Sequence, residues 1–164
     1  MEGDTLTSFR ESVEIAAAPN VVWALVSDIP RHAEFAGPKS ITKVIDFDGE
    51  PAPGRRWTAH EKFLVQKFDA PSEITEVEPE RRLEWVSFPP MKEENRGKGG
   101  TVVWGYTLEP TATGTHLEHY MTVLEPLKGA GTLKAMYKVF GLPAKQVAGG
   151  RTTLANIKQA AEQP

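Results

Sequence analysis

Apolar residues in this chain recur with two periods, and the changes of period divide it. Between residues 9 and 15, Phe9, Val13 and Ile15 alternate with Arg10, Ser12 and Glu14, the period-two pattern of a strand with one buried face. Alanines and Pro19 then interrupt. Pro19 suits a first helical position, and Val22, Trp23, Leu25 and Val26 share one face of a short helix ending near Asp28. Trp23 is assigned to packing of that helix. Pro30 breaks it, and residues 31–35 suit a second short helix. From Lys39 the period returns to two and predicts strands over 40–47, 56–68, 72–77, 82–88, 100–109 and 115–124. The gaps carry turn chemistry: Asp48-Gly49, Asp69-Ala70-Pro71, Pro79-Glu80, Gly99-Gly100 and Thr113-Gly114. The period changes again at the end. Leu133, Phe140, Val147, Leu154 and Ala161 recur every seven residues, beside a stripe of Met136, Pro143, Gly150 and Ile157 that is bulky at its ends and nearly empty in the middle. This predicts a long amphipathic helix over 133–162, kinked or broken near Pro143 or Gly149–Gly150. A sheet curving around it would leave a candidate hollow at the small residues.

The order strand, two short helices, six strands, long helix predicts an α+β fold. A seven-stranded antiparallel sheet with one apolar face is covered by the only element long enough to cover it. At 164 residues the chain is read as one domain, 1–164. The net charge of −3 argues against a general attraction to nucleic acid or to anionic membrane, while leaving a local patch open. The absence of cysteine excludes disulfides, thiolate zinc sites and cysteine nucleophiles, and suits a cytoplasmic protein. The polar, acidic start carries no signal peptide, and no apolar run approaches the ~18 residues of a spanning helix.

Strand alternation also sorts the chemistry. In 115–124, Leu117, His119, Met121 and Val123 share the apolar face; in 100–109, Val102, Trp104, Tyr106 and Leu108 do. His119 therefore points inward, near Tyr106 or Trp104 across the strand pair. An inward His beside a Tyr reads either as a general acid–base pair or as a pocket-lining His satisfied by a hydrogen bond that helps orient a ligand. Along 56–68, Glu61 faces inward with Trp57 and Phe63 unless a bulge intervenes, in which case His60 does. A carboxylate in an apolar cavity would have a raised pKa. Trp85, Trp104, Tyr106, Met121, Phe63, Met136, Tyr137 and Phe140 either line a flat apolar pocket or fill the core. His116 and His119 lie three apart on a strand, so they point to opposite faces and cannot share a metal. Gly97-Lys98-Gly99-Gly100-Thr101 lacks the spacing and following helix of a phosphate loop. No metal or cofactor is expected.

Several stretches together resemble the START/polyketide-cyclase-like (SRPBCC) superfamily. They are Val13-Glu14-Ile15, Ala18-Pro19, Val22-Trp23, Leu25, Asp28 and Phe35; Leu83-Glu84-Trp85; Tyr106-Thr107-Leu108-Glu109-Pro110; Gly114-Thr115; and Leu154-Ala155-Asn156-Ile157-Lys158 with Glu162. The resemblance covers nearly the whole chain. It implies a helix-grip fold, a curved sheet gripping a C-terminal helix, with a hydrophobic cavity between them. Family members include lipid and sterol carriers, polyketide aromatase/cyclases and co-chaperones, among which fold does not choose. The expected function is binding of a hydrophobic small molecule such as a lipid, polyketide or isoprenoid-like compound. The alternatives are a cofactor-free cyclase, aromatase or dehydratase using His119 with Tyr106 or Glu61, and a co-chaperone-like module with a protein partner. The segments 92–100 and 126–131 are the expected cavity rims.

Overall fold

The computed structural model describes residues 4–63, 65–90, 92–96, 99–126 and 128–164, without the side chains of Phe63 and Asn95. Seven strands, β1 (Thr5–Ile15), β2 (Ile41–Ile45), β3 (Arg56–Phe63), β4 (Gln66–Glu78), β5 (Arg82–Ser87), β6 (Val102–Pro110) and β7 (Thr115–Leu124), form one sheet in the order β1-β7-β6-β5-β4-β3-β2. Every neighbouring pair is antiparallel. The chain crosses from one sheet edge to the other through α1 (Pro19–Val26), a 3₁₀ turn (Ile29–Arg31) and α2 (His32–Phe35). It ends in α3 (Ala130–Val139) and α4 (Leu142–Glu162). This is the expected helix-grip architecture: a curved, open sheet closed on one face by the long C-terminal helix.

Two strand boundaries differ from expectation. Residues 56–68 are not one strand: the chain reverses so that Phe63 faces Gln66 and Glu61 faces Phe68. The turn falls within the apolar run Phe63-Leu64-Val65, where composition signals no turn. Conversely Asp69-Ala70-Pro71, expected to be the turn, lies inside β4, with Pro71 opposite Thr58. Its carbonyl accepts from the Phe88 amide at 2.9 Å, so the side of Pro71 lacking an N–H faces β5. Paired β5 residues begin only at Ser72, so the proline sits where the ladder stops and costs little.

The final helix is also two elements. Gly141, in the left-handed region at φ 62°, ends α3, and Pro143 falls in the first turn of α4, the proline-start and glycine-stop chemistry of helix ends. The expected break near Pro143 is thus real, whereas α4 runs unbroken through Gly149–Gly150. These glycines do not leave a hollow. A Cβ on Gly150 would lie 2.5 Å from the Phe9 ring, and one on Gly149 would lie 3.0 Å from the Gly37 carbonyl oxygen. Small residues here admit β1 and the loop before β2 into close contact with the helix. The loop is held by the Gly37 amide donating to Thr153 Oγ1 (3.1 Å), and Asn156 Nδ2 donates to the Phe35 carbonyl (3.0 Å). Beyond this point Leu154, Ile157 and Ala161 sink into a core with Ile15, Val22, Leu83 and Leu117. Each buried Leu, Ile or Val side chain contributes roughly 1.5–3 kcal/mol of burial, and Ala161 less.

Candidate functional site

The register of β5, β6 and β7 builds an aromatic layer on the face beneath the helices. Leu83 lies opposite Tyr106 and Tyr106 opposite His119; in the next inward row, Trp85 lies opposite Trp104 and Trp104 opposite Met121. Tyr106 stacks on His119 with ring centroids 4.4 Å apart and planes 18° from parallel. Trp104 stacks on the same imidazole at 5.9 Å, and Trp85 stacks on Trp104 at 6.4 Å. Phe9 of β1 meets His119 edge-on at 5.5 Å. From α2, His32 descends onto Trp85 at 5.0 Å and Tyr106 at 6.2 Å. Sequence reasoning did not single out His32: a lone His in a four-residue helix carries no pattern, and only the crossing of α2 over the sheet puts it here. The buried pair Ser72–Ser87, hydroxyl to hydroxyl at 2.8 Å, was missed for the same reason, since neighbouring strands bring the two together.

Both buried imidazoles are neutral, and the tautomers follow from their partners. A carbonyl only accepts, so His119 Nδ1–H donates to the Gly105 carbonyl (2.9 Å) and His32 Nε2–H donates to the Val26 carbonyl (2.7 Å). The remaining nitrogen of each ring carries a lone pair. Burial outweighs the backbone bond and pushes the His119 pKa down to about 4, with the nearby His32 acting in the same direction. Burial lowers His32 as well, and it raises the Tyr106 phenol above its usual range. The layer therefore offers flat apolar surface, a hydroxyl and uncharged nitrogen acceptors, with no net charge at neutral pH.

Glu61 shares the inward face with Trp57 and Ala59, because the β3–β4 register is unbroken; His60 turns outward to Asp69 (2.5 Å). Burial alone pushes the Glu61 carboxyl up to about 7. It does not join His119 and Tyr106: β3 and β7 are separated by β4, β5 and β6, ~19 Å along the sheet at the usual strand spacing. The proposed apolar lining divides similarly. Trp85, Trp104, Tyr106, Met121 and His119 come together. Tyr137 is half-buried on α3, while Met136 and Phe140 are 45% and 54% exposed; these two do not line the inner face, because α3 packs on α4 rather than under the sheet. The Phe63 side chain lies outside the described residues. Among the described residues no three His, Cys, Asp or Glu groups converge in a metal-binding arrangement.

Access to the layer lies at Trp104, which is partly exposed while its ring neighbours Phe9, Trp85 and His119 are buried. The partly buried Val102 and Val147 border it. An open groove of about 610 Å³ lies elsewhere: Arg56, Thr58, Glu73, Val86, Phe88 and Arg96 line it on the opposite sheet face. The segment after β5, expected as a rim of the inner cavity, contributes Glu93 and Arg96 to this outer groove instead, with the Arg96 guanidinium over Phe88. An Arg56–Glu73 ion pair crosses it, so its chemistry is that of a solvated surface.

A grip of seven strands on a C-terminal helix, with an aromatic inner layer partly exposed at Trp104, defines a helix-grip fold. The family model for polyketide cyclase/dehydrase and lipid transport proteins matches residues 7–162; the chain belongs to this family. Similar solved structures include the ZhuI aromatase/cyclase from Streptomyces sp. R1128, with TM-score 0.71 and 16% identity, covering 94% of this chain and 93% of that one. The di-domain aromatase/cyclase BexL of the BE-7585A biosynthetic pathway has TM-score 0.69 and 21% identity, covering 96% of this chain and 50% of that one. The Polyketide_cyc-like protein Cgl2372 from Corynebacterium glutamicum has TM-score 0.52 and 24% identity, covering 97% and 93%. At these identities the likeness is one of fold. No curated protein matches the chain by sequence.

Proposed function

We propose that this protein binds a flat hydrophobic small molecule of the polyketide, isoprenoid or lipid class between the sheet and the C-terminal helices. The observation that carries the reading is the partly exposed Trp104 ring, backed by a buried, uncharged layer of Trp85, His119 and Tyr106. Such a surface favours planar apolar ligands through offset stacking. The free nitrogen of His119 accepts a hydrogen bond from a ligand hydroxyl and orients it. The test is native mass spectrometry of freshly purified protein, with extraction of any bound compound, followed by tryptophan-fluorescence titration against planar polyketide and lipid panels. A retained hydrophobic compound, or quenching that weakens about tenfold in Trp104→Ala, is the expected result. A bare-chain mass with no quenching across the panel overturns it.

One observation favours catalysis as a second reading. An inward carboxyl titrating near 7 exchanges protons readily at neutral pH, which suits a cofactor-free cyclase or dehydratase; here that group is Glu61. His119, held neutral down to about pH 4, is a weaker base and serves to position substrate in this scheme. Loss of turnover in Glu61→Gln, with ligand binding kept, distinguishes the enzyme from the carrier.

A further inference from the structure

Two elements at one end of the sheet expose apolar side chains beside lysines. The strands alternate in direction, so the end of β7, the β3–β4 turn and the start of β1 share that end. Beyond β7, α3 is tethered there by the Lys134–Glu125 ion pair. The register of α4 against β1, with Gly150 at Phe9, Arg151 bonded to Glu11 and Glu162 at Ala16, shows that α4 also starts there.

At 100° per residue, Ala130, Leu133 and Tyr137 fall on one side of α3 and are its half-buried residues. The neighbouring arc carries Met136, Val139 (78% exposed) and Phe140, all in solvent. Lys134 and Lys138 lie across the helix from that arc. Residues 126–161 contain Lys128, Lys134, Lys138, Lys145, Arg151 and Lys158 and no acidic residue, in a chain whose net charge is −3. The β3–β4 hairpin repeats the chemistry. Paired β5 residues begin at Ser72, so the hairpin extends past β5. It carries Val65, 91% exposed, at its turn, and behind it Lys62 and Lys67 sit directly opposite each other. Like charges in that position repel, and among the described residues neither lysine has an ion-pair partner.

We propose that α3 and the β3–β4 turn dock together on an anionic lipid surface, with Met136, Val139, Phe140 and Val65 entering the headgroup–acyl boundary and Lys62 and Lys67 meeting lipid phosphates. Exposed bulky apolar groups on two separate elements at one end, with an unpaired lysine pair behind one of them, are what an anionic interface satisfies simultaneously. The lysine pair that repels itself in water becomes favourable against negative charge. This surface stands on its own observations, whatever the inner layer holds.

The test is co-sedimentation of the full chain with phosphatidylcholine vesicles and with phosphatidylcholine/phosphatidylglycerol vesicles, beside the double variant Val65→Asp/Phe140→Asp and the variant Lys62→Gln/Lys67→Gln. The wild type is expected on the anionic vesicles, with binding weakened by salt. The aspartate variant is expected to lose about tenfold or more in partitioning, and the glutamine variant several-fold. Unchanged thermal melting in both keeps the comparison valid, since all four side chains are exposed. No wild-type binding, equal binding by wild type and the aspartate variant, or a wild-type dimer in sedimentation equilibrium that the aspartate variant dissociates would each overturn the proposal; the last would make this face a contact between two copies.

Discussion

The two C-terminal helices are made of similar material and end in different situations. In α4, Leu154, Ile157 and Ala161 are buried among the strands, and Gly150 lets Phe9 press against the helix backbone. In α3, no residue is fully buried, and Met136, Val139 and Phe140 face solvent. Both carry apolar residues at helical spacing. Amphipathicity records that a face wants a cover, without recording what the cover is. For α4 it is the sheet; for the Met136–Val139–Phe140 arc of α3 no cover stands among the described residues.

Substitutions sharpen this contrast. The largest effect is expected at Leu154, 2% exposed: Leu154→Ala should cost about 2–5 kcal/mol through lost burial and a residual cavity, read by denaturant unfolding. Met136→Ala, on the unpartnered arc, should change stability by less than ~0.5 kcal/mol. Comparable losses at the two sites would mean that α3 is packed as tightly as α4.

Acid should act on the buried layer. His119 has a folded-state pKa near 4, below the ~6.5 of an unfolded chain. The unfolded state therefore binds more protons between those values. Stability is expected to be complete above about pH 6.5 and to fall by roughly 1 kcal/mol per unit as pH drops toward 4. His32 adds to the same trend. Glu61 works in the opposite sense: its carboxyl, raised to about 7, favours the protonated folded state, so its contribution is present at low pH and is lost as pH rises through 7. The wild-type profile between about 4.5 and 6.5 should thus be flattened by cancellation. Glu61→Gln should steepen it, and His119→Phe should flatten it further, leaving His32 against Glu61, as followed by urea midpoints across pH. A Glu61→Gln profile that superimposes on wild type would show that this carboxyl is as solvated as any surface glutamate.

Smaller effects come from glycines in the two helices. Gly150→Ala improves helix propensity, yet its Cβ would stand 2.5 Å from a Phe9 ring wedged against Trp104 and His119. A net loss of about 1–2 kcal/mol is expected. Gly131→Ala in α3 meets nothing within 4 Å and should stabilise by up to ~0.5 kcal/mol, less than a full mid-helix gain because it lies in the first turn. A stabilising Gly150→Ala would show that Phe9 has room to withdraw.

Much of the fold was legible because period-two and period-3.6 patterns report burial directly. The span of β7, the inward faces of β6 and β7, the first short helix and the inward turn of His119 toward Tyr106 or Trp104 all follow from period-two and period-3.6 patterns along single elements. The β3–β4 turn was illegible because Phe63-Leu64-Val65 is apolar and Pro71 imitates a stop. The hollow expected at Gly149–Gly150 was illegible because a sequence shows where bulk is missing on one element but not which other element fills the space. His32, Ser72 and Ser87 belong to the layer only through contacts between distant segments.

By itself, then, the sequence determined the element types, the one-sided sheet, the long covering helix and the family, because each rests on local periodicity or on residues read in order. Only the tertiary structure decided that the glycine pair is filled by Phe9 and the Gly37 loop, that three strands separate Glu61 from His119, and that one arc of α3 is left without a cover. Those outcomes depend on strand register and on which surfaces meet. A one-residue shift of register exchanges the faces of a strand, and no local pattern specifies what the exposed face of a helix finally touches.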